Sequence, residues 1–443
     1  MSGLKLDSIQ PWMPHPAAAP LTEKNGDMLT ITANGTRTCV GGWQITFSGA
    51  VPGKTYRICL NVEHRELENV RDSLQSTAYW GELSATDSSR RNNEILSWEY
   101  LLPEQTGDNS LRFSRGLKAP AGADRLTLRY TFRWTTKGKS TWYLPQIEAV
   151  SSPASPDPVR IAVVTGQMGS RGEPFKTIQN NLDYYVPLCE AACAEGQDLI
   201  VLPEIALQWR IPGSPLDLAV PAPGPETEVF AELARRNRVR IMLGMIERDG
   251  DAVHNSAVLI APDGNMDGKY RKVHLAVGKE MDSGILPGDG FPVFETEIGR
   301  IGCNICMDSS AAESSRMVGL NGADFLLLPI MGDHRAWHPG EQRKFDPERF
   351  RAIMQTHAMD NQLCMVVAVN NTRGSCIVDR VGNVLAWNDG DQDFIQAVVA
   401  LNDGYRPSSK GCFRGINWMQ RRPHVYRTFV DENNKGSLLT TAY

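Results

Sequence analysis

Long apolar runs are missing from this chain of 443 residues. No stretch of about 18 consecutive apolar residues occurs, so we expect no transmembrane helix. A basic excess is missing too, because 46 Lys and Arg stand against 51 Asp and Glu, for a formal net charge of −5. Such a chain has no general positive field for nucleic acid or anionic lipid, so we expect neither as a partner.

The chain also lacks the marks of an exported, disulfide-stabilised protein. Its first residues, Met1 to Asp7, contain no hydrophobic signal core. The nine cysteines are an odd number and are scattered along the chain, which is typical of reduced thiols in the cytosol. We therefore expect a cytoplasmic protein.

What is present divides into regions, and the length indicates two or three domains. Residues 1–25 are rich in proline and alanine, and we expect an irregular lead-in there. Residues 26–152 carry short runs of alternating apolar and polar residues, which predict an all-β sandwich of the jelly-roll type. The clearest strand is Arg125–Trp134, with one face made by Leu126, Leu128, Tyr130, Phe132 and Trp134.

A different texture follows the Pro- and Ser-rich segment 153–158, which has the composition of a linker. Over residues 159–402, nearly all-apolar strands alternate with helical patterns. This alternation predicts an α/β domain whose sheets are covered by helices. Residues 403–443 form a C-terminal tail.

Cys306 stands where an apolar strand pattern over Ile301–Ile305 stops and a helical pattern follows. The free N–H groups and the dipole at a helix start favour a thiolate, so the position suits a nucleophile. The alternative is a buried structural cysteine. Cys303 and Cys306 also form a Cys-x-x-Cys pair, but without further ligands nearby we predict no metal or redox site.

Two more residues have types that complement a nucleophilic thiol. Glu204 closes the apolar strand that begins at Asp198, and Lys272 lies in the polar segment 268–275. Together with a thiol they would supply a base for its proton and a cation for a developing oxyanion. Taken singly, Glu204 also fits the first turn of a helix and Lys272 a solvated charge.

Several stretches resemble landmarks of the nitrilase superfamily, the carbon–nitrogen hydrolases, and they occur in that family's order. The resemblance covers the chain from Val159 to Tyr426. The stretches are Asp198–Glu204, His254–Ala257, Pro262–Gly264, Tyr270–Leu275, Gly302–Asp308, Gly322–Asp324, Gly374–Asp379 and Arg421–Tyr426.

The resemblance implies a four-layer α-β-β-α sandwich and a Glu-Lys-Cys triad that needs no cofactor. By matching position, Glu204 is the base, Lys272 the oxyanion stabiliser and Cys306 the nucleophile. Glu280, ahead of a Pro-Gly-Asp, would orient Lys272 and the substrate, although it also fits a surface loop. The backbone N–H of Met307 would bind the oxyanion.

The residues after the cysteine bear on the substrate. Nitrile-cleaving members typically carry Trp-Glu there, whereas this chain has Met307-Asp308, which favours hydrolysis of a linear amide or N-carbamoyl group. A nitrilase remains the alternative. Three candidate substrate contacts lie in the loop after the strand ending at Pro329, where a surface loop is the other interpretation: His334, Arg335 and Trp337.

The family resemblance implies a small-molecule substrate and at least a homodimer, whose interface the tail from residue 403 would reach. Light scattering that shows only monomer would refute this expectation. The N-terminal sandwich is unusual for the family, and we interpret it as a structural or assembly domain. Its tryptophans could instead form a sugar-stacking platform on a catalytically silent binding protein, but core packing is favoured. They are Trp12, Trp43, Trp80, Trp98, Trp134 and Trp142.

Overall fold

The computed structural model describes residues 3–84, 94–151, 158–166, 175–337, 344–370, 373–401 and 405–431. The chain divides into two compact units. The first unit comprises Met1–Pro153 and Arg406–Tyr443, and the second comprises Ala154–Tyr405. The predicted linker lies outside the described residues except for Pro158, and so does the tail beyond Asp431. Within the described ranges, no helix combines the length and apolarity needed to cross a membrane.

The first unit is built mainly from strands. They are β1 (Lys5–Trp12), β2 (Leu21–Asn25), β3 (Met28–Thr32), β4 (Val40–Ser48), β5 (Thr55–Arg65), β6 (Leu74–Gly81), β7 (Ile95–Gly107), β8 (Ser110–Lys118), β9 (Arg125–Arg133), β10 (Lys139–Tyr143) and β11 (Gln146–Val150), with a short helix α1 (Val70–Ser73) before β6.

These strands pair in the order β1-β4-β9-β6-β7-β8-β5-β10-β3-β2, with β11 on β5. The long strand β7 pairs with β6 along its first part and with β8 along its second part. β7 therefore joins the two halves of the sheet. Alternating apolar residues from both halves fill one core. In that core, Trp142 stacks between Phe113 and Tyr130, with ring centroids 5.5 and 4.8 Å away. The predicted all-β sandwich is confirmed.

Two expectations for the first unit are wrong. The irregular lead-in at residues 1–25 contains β1 and β2. β1 is an edge strand paired only with β4, and an edge strand tolerates a proline such as Pro11. Trp134 does not continue the apolar face of β9, because its φ of 58° turns the chain out of the strand and leaves the side chain 53% exposed.

The described part of the C-terminal segment belongs to the first unit. It holds a helix over Phe413–Met419 and a short one over Arg427–Val430. The indole N–H of Trp98 donates to the Ser409 carbonyl at 2.6 Å, and Arg422 pairs with Asp72 at 3.0 Å. Ile416 packs on the cluster around Trp98. The tail thus covers rings that a sugar platform would have to expose. Core packing is confirmed for the tryptophans other than Trp134.

The second unit combines strands and helices. The strands are β12 (Val159–Val164), β13 (Leu199–Val201), β14 (Val220–Pro221), β15 (Arg240–Asp249), β16 (Ala252–Ile260), β17 (Met266–Arg271), β18 (Val293–Thr296), β19 (Gly299–Cys303), β20 (Phe325–Ile330), β21 (Cys364–Val369), β22 (Arg373–Val378), β23 (Val384–Asp389) and β24 (Phe394–Val399). The helices are α2 (Ile178–Ala194), α3 (Pro215–Leu218), α4 (Pro225–Asn237), α5 (Ala312–Leu320) and α6 (Pro347–Asn361).

Two sheets form the centre of this unit. One has the order β17-β16-β15-β13-β12-β24 with β14 on β15, and the other has the order β18-β19-β20-β21-β22-β23. One apolar core lies between the sheets, a second between the first sheet and helices α2 and α4, and a third between the second sheet and helices α5 and α6. The predicted four-layer α-β-β-α sandwich is confirmed.

The strand ends of this unit carry the candidate site. Strands β12, β13 and β15 are parallel neighbours, as are β19, β20 and β21. The chain leaves the carboxyl end of β13 towards Glu204, that of β19 towards Cys306 and that of β20 towards Met331. Ligands of α/β sheets generally bind beyond the carboxyl ends of parallel strands, so this placement marks a site.

Candidate active site

The structure brings Glu204, Lys272, Glu280 and Cys306 together, although they come from four separate segments. Glu204 and Lys272 are almost fully buried, at 2% and 1% exposure. The Lys272 ammonium lies between the two carboxylates, with Nζ 2.8 Å from Glu204 Oε1 and 2.7 Å from Glu280 Oε2. Two of its three hydrogens are engaged there, so one remains for a substrate oxygen.

The charge state of Lys272 follows from these partners. Burial opposes the charged form of a lysine, but Glu204, Cys306 and Glu280 outweigh burial and raise the pKa of Lys272 above its usual value. The ammonium is therefore kept at neutral pH. A fixed cation in a buried site stabilises a developing oxyanion more strongly than it would in water.

Cys306 begins a short 3₁₀ turn, Cys306–Ser310, three residues beyond the end of β19. Its φ of 44° lies in the left-handed region, which non-glycine residues seldom adopt and which is frequent at functional sites. Burial, and then the charge of Glu204, raise the pKa of the Cys306 thiol against the opposing effect of Lys272. This direction is opposite to the one that the helix-start argument favours for Cys306.

Glu204 is oriented so that its two oxygens have different neighbours. Oε1 accepts hydrogen bonds from Lys272 Nζ and Asn255 Nδ2, both at 2.8 Å. Oε2 accepts the backbone N–H of Met331 at 3.2 Å. That N–H and the Glu204 side chain also lie within hydrogen-bonding reach of the Cys306 thiol. Among the described residues, Oε1 therefore has two side-chain donors, whereas Oε2 has one backbone donor.

Asn255 is a site residue that the sequence analysis did not single out. Its Nδ2 donates to Glu204 Oε1 at 2.8 Å and to Glu280 Oε1 at 2.6 Å. Its backbone carbonyl accepts the N–H of Lys272 at 2.9 Å. The signal that could have revealed it is the polar triplet His254-Asn255-Ser256 inside the otherwise apolar strand β16.

Asp308, which the sequence analysis used only as a marker of substrate class, is also a structural part of the site. The fully buried carboxylate accepts the Tyr270 hydroxyl at 2.6 Å, and the backbone N–H groups of Ile305 at 2.8 Å and His274 at 2.9 Å. It also contacts the His274 ring and raises the pKa of that imidazole. Because Tyr270 and His274 flank Lys272, this carboxylate fixes the nucleophile turn against the lysine segment.

The three candidate substrate contacts lie in or beside a 3₁₀ turn, His334–Ala336. The Arg335 guanidinium is already held by Asp333 and by the carbonyl of Ser309, both at 2.7 Å. His334 is exposed, and the Trp337 ring meets Phe345 edge-on at 5.7 Å between centroids. Arg335 thereby ties the loop that follows Met331 to the nucleophile turn.

Met307 is half-buried and borders a cavity of about 600 Å³. Its other lining residues are Val273, His274, Leu275, Met281, Ile285, Pro287, Ser310 and Ala311. These residues are mostly apolar, and together with Met307 they include a chain neighbour of each of Lys272, Glu280 and Cys306. In the part of the chain that the structure describes, no group of three or more His, Cys, Asp or Glu residues is placed to hold a metal ion.

Comparisons with known proteins agree with this arrangement. A nitrilase from Pyrococcus abyssi (strain GE5 / Orsay) is 37% identical over 147 residues, which cover 32% of this chain and 55% of that protein. An N-carbamoylputrescine amidase from Oryza sativa subsp. japonica is 28% identical over 283 residues, 58% of this chain and 91% of the relative.

A carbon-nitrogen hydrolase of known crystal structure, from Helicobacter pylori G27, shares the fold. It aligns with a TM-score of 0.50 at 20% identity and covers 63% of this chain and 100% of its own. Residues 160–405, just over half of the chain, match the family described as carbon-nitrogen hydrolase. The chain therefore belongs to the carbon–nitrogen hydrolase family, the nitrilase superfamily that its motifs predict.

Proposed function

We propose that this chain is a cysteine-dependent hydrolase of a linear amide or N-carbamoyl group that works through a thioester. The observation that carries the proposal is the set of contacts around Lys272. One buried ammonium lies 2.8 and 2.7 Å from two carboxylates, and one of these is within hydrogen-bonding reach of a thiol on a left-handed turn. These are the parts that acyl transfer requires.

The first half-reaction forms the thioester. Glu204 Oε2 takes the proton of the Cys306 thiol as sulfur attacks the carbonyl carbon. The oxygen that becomes negative is stabilised by the free N–H of the Lys272 ammonium and by the backbone N–H of Met307. When the tetrahedral intermediate collapses, the C–N bond breaks and Glu204 returns the proton to the departing ammonia or amine.

The second half-reaction restores the enzyme. A water molecule takes the place of the departed amine and gives a proton to Glu204 as its oxygen attacks the thioester carbon. The same N–H groups stabilise the second oxyanion. Collapse of this intermediate releases the acid product and the Cys306 sulfur, which regains the proton from Glu204. Glu280 keeps Lys272 charged and in place throughout, and no cofactor takes part in either step.

The substrate class rests on the chain's own residues and on its relatives. Met307-Asp308 follows the cysteine in place of Trp-Glu. The Asp308 carboxylate already accepts hydrogen bonds from Tyr270, His274 and Ile305. One relative is an N-carbamoylputrescine amidase, which supports a carbamoyl or amide substrate. Another is a nitrilase, so a nitrile is the second candidate.

The test is ammonia release from a panel of linear amides, N-carbamoyl amino acids and nitriles, each with and without hydroxylamine. Hydroxylamine intercepts a thioester, so an amide substrate should give a hydroxamate and a carbamoyl substrate hydroxyurea. The responding class identifies the bond that is cut. Ammonia release without any hydroxylamine product would contradict the thioester. Absence of turnover across the panel would favour a catalytically silent protein.

A further inference from the structure

Four side chains of the site form a closed ring of hydrogen bonds. Lys272 Nζ bridges Glu204 Oε1 and Glu280 Oε2, and Asn255 Nδ2 bridges Glu204 Oε1 and Glu280 Oε1. The ring holds two carboxylates and one ammonium, so its formal charge is −1. Lys272 alone cannot compensate both carboxylates. The amide of Asn255 donates to both of them, and the backbone N–H groups of Met331 and Ala276 each donate to one, to Glu204 Oε2 at 3.2 Å and to Glu280 Oε2 at 2.7 Å.

The amide of Asn255 is oriented so that its donor group is satisfied and its acceptor oxygen is not. Both Nδ2 hydrogens are directed at carboxylates, while Oδ1 is buried and has no hydrogen-bond partner among the described residues. The opposite orientation would set the carbonyl oxygen against two negative groups. A buried polar atom without a partner is unfavourable, so this orientation indicates that the donors, rather than the shape of the side chain, are what the site uses.

We propose that Asn255 is a positioning residue that holds the carboxylates of Glu204 and Glu280 in orientation around Lys272. This inference rests on the proposed function. By engaging Oε1, Asn255 leaves Oε2 of Glu204 as the oxygen that receives the Cys306 proton. Asn255 also donates to the Glu280 carboxylate. The Lys272 ammonium can therefore contact both carboxylates and still keep one hydrogen for the substrate.

The ring has defined neighbours on every packed element. From the turn after β19 it meets the Cys306 thiol, from the loop after β20 the N–H of Met331, and from the end of β21 the amide of Asn370, which donates to the Glu204 carbonyl at 2.6 Å. Cys306 is the further titratable group facing the ring among the described residues. Its reactivity therefore reports on the ring without any substrate.

The experiment measures the rate at which iodoacetamide alkylates Cys306 at neutral pH, by peptide mass spectrometry, in wild type, Asn255→Ala and Asn255→Asp. Loss of the two donors leaves the existing negative charge beside the thiol less compensated, so we expect about a tenfold slower rate in Asn255→Ala. Asn255→Asp should be slower still, although it preserves the shape of the side chain. The acid limb of kcat/KM should move to higher pH in Asn255→Ala.

Asn181 provides the matched control. It is fully buried, its Nδ2 donates only to the carbonyls of Leu207 and Trp209, and its Oδ1 also lacks a partner in the described ranges. Asn181→Ala and Asn181→Asp should lower the melting temperature and leave the alkylation rate of Cys306 within about twofold of wild type.

The order of the Asn255 variants decides the inference. Asn255→Asp reacting as fast as Asn255→Ala, or faster, would mean that Asn255 only fills space. Should the Asp variant not fold, Asn255→Ser replaces it, because its hydroxyl keeps one donor and should react faster than Asn255→Ala. Equal rates would overturn the inference. Turnover that persists in Cys306→Ala would instead refute the proposed function itself.

Discussion

Two buried ionic clusters lie back to back on the same pair of strands. Asn255 and Ser256 are consecutive residues of β16, so their side chains point to opposite faces of the sheet. Asn255 enters the ring with Glu204 and Lys272. Ser256 instead donates to the buried carboxylate of Glu247 at 2.6 Å. Arg271 and Lys272, also consecutive, divide between the clusters in the same way.

The clusters differ in the balance of charge. Glu247 accepts hydrogen bonds from Lys269, Arg271 and Ser256, and Arg271 also pairs with the exposed carboxylate of Asp249 at 2.5 Å, so two cations serve two carboxylates. On the other face, one ammonium serves two carboxylates. Glu247 is contacted by two cations, whereas Glu204 and Glu280 share one ammonium beside the Cys306 thiol. The proposed chemistry therefore lies on the face that is short of cations.

The largest effect should come from neutralising the carboxylate on each face. Glu204→Gln removes the proposed base for the thiol and for water, and we expect kcat/KM to fall about 10⁴-fold. Glu247→Gln should leave kcat within a few-fold and lower the free energy of unfolding by about 2 kcal/mol, because Lys269 and Arg271 lose their buried partner but remain partly hydrated. Steady-state kinetics and thermal melting of both variants check this.

The adjacent cations give the second test. Lys272→Met removes the oxyanion partner, and we expect kcat to fall about 10³-fold. Arg271→Met removes a bidentate partner of Glu247 and should act on the melting temperature. Rates are compared after correction for the folded fraction, measured by circular dichroism. Equal losses of kcat in the two variants would remove the distinction between the faces.

A smaller effect is expected at Asp308, which fixes the nucleophile turn without being in the ring. Asp308→Asn keeps the shape but loses half of the acceptors that hold Tyr270, His274 and Ile305, so we expect about a tenfold lower kcat from misplacement of Cys306. KM should change less than kcat. A kcat equal to that of wild type would show that the turn Cys306–Ser310 keeps its position without the Asp308 carboxylate.

The smallest effect is a pH dependence of stability on the face of Glu247. Burial alone would raise the pKa of Glu247, but hydrogen bonds from Arg271, Lys269 and Ser256 lower it to about 2, from an ordinary value of 4.5. The carboxylate therefore stabilises the fold fully above pH 4.5 and progressively less as the pH falls towards 2. The difference in melting temperature between wild type and Glu247→Gln should shrink over that interval. A constant difference would contradict this.

The elements that follow from local pattern are those that the sequence predicts well. Val159–Val164 is a nearly all-apolar strand, as the pattern over residues 159–402 predicts, because such a run suits a buried parallel strand. β17, Met266–Arg271, has no such pattern, since it is an edge strand in which Tyr270 alone is buried. The sequence pattern therefore predicts no strand in the polar segment 268–275 around Lys272.

The candidate site divides in the same manner. Glu204, Lys272 and Cys306 each follow from a short motif that resembles a family landmark. Asn255 lies within the landmark His254–Ala257, but the motif assigns it no role, because its role depends on four segments meeting around one ammonium. The environment of the Cys306 thiol was likewise beyond local reasoning. The helix-start argument favours a thiolate, whereas burial and the charge of Glu204 raise the thiol pKa. Both are properties of the packed site.

The most direct test compares two cysteines three residues apart. Cys306 lies on the left-handed turn beside Lys272, while Cys303 ends β19 and packs between the two sheets. Ammonia release is measured for Cys306→Ala and Cys303→Ala with the substrate to which wild type responds best. Cys306→Ala should be inactive, and Cys303→Ala should retain activity with a lower melting temperature. Ammonia release by Cys306→Ala at the wild-type rate would contradict the assignment of the nucleophile.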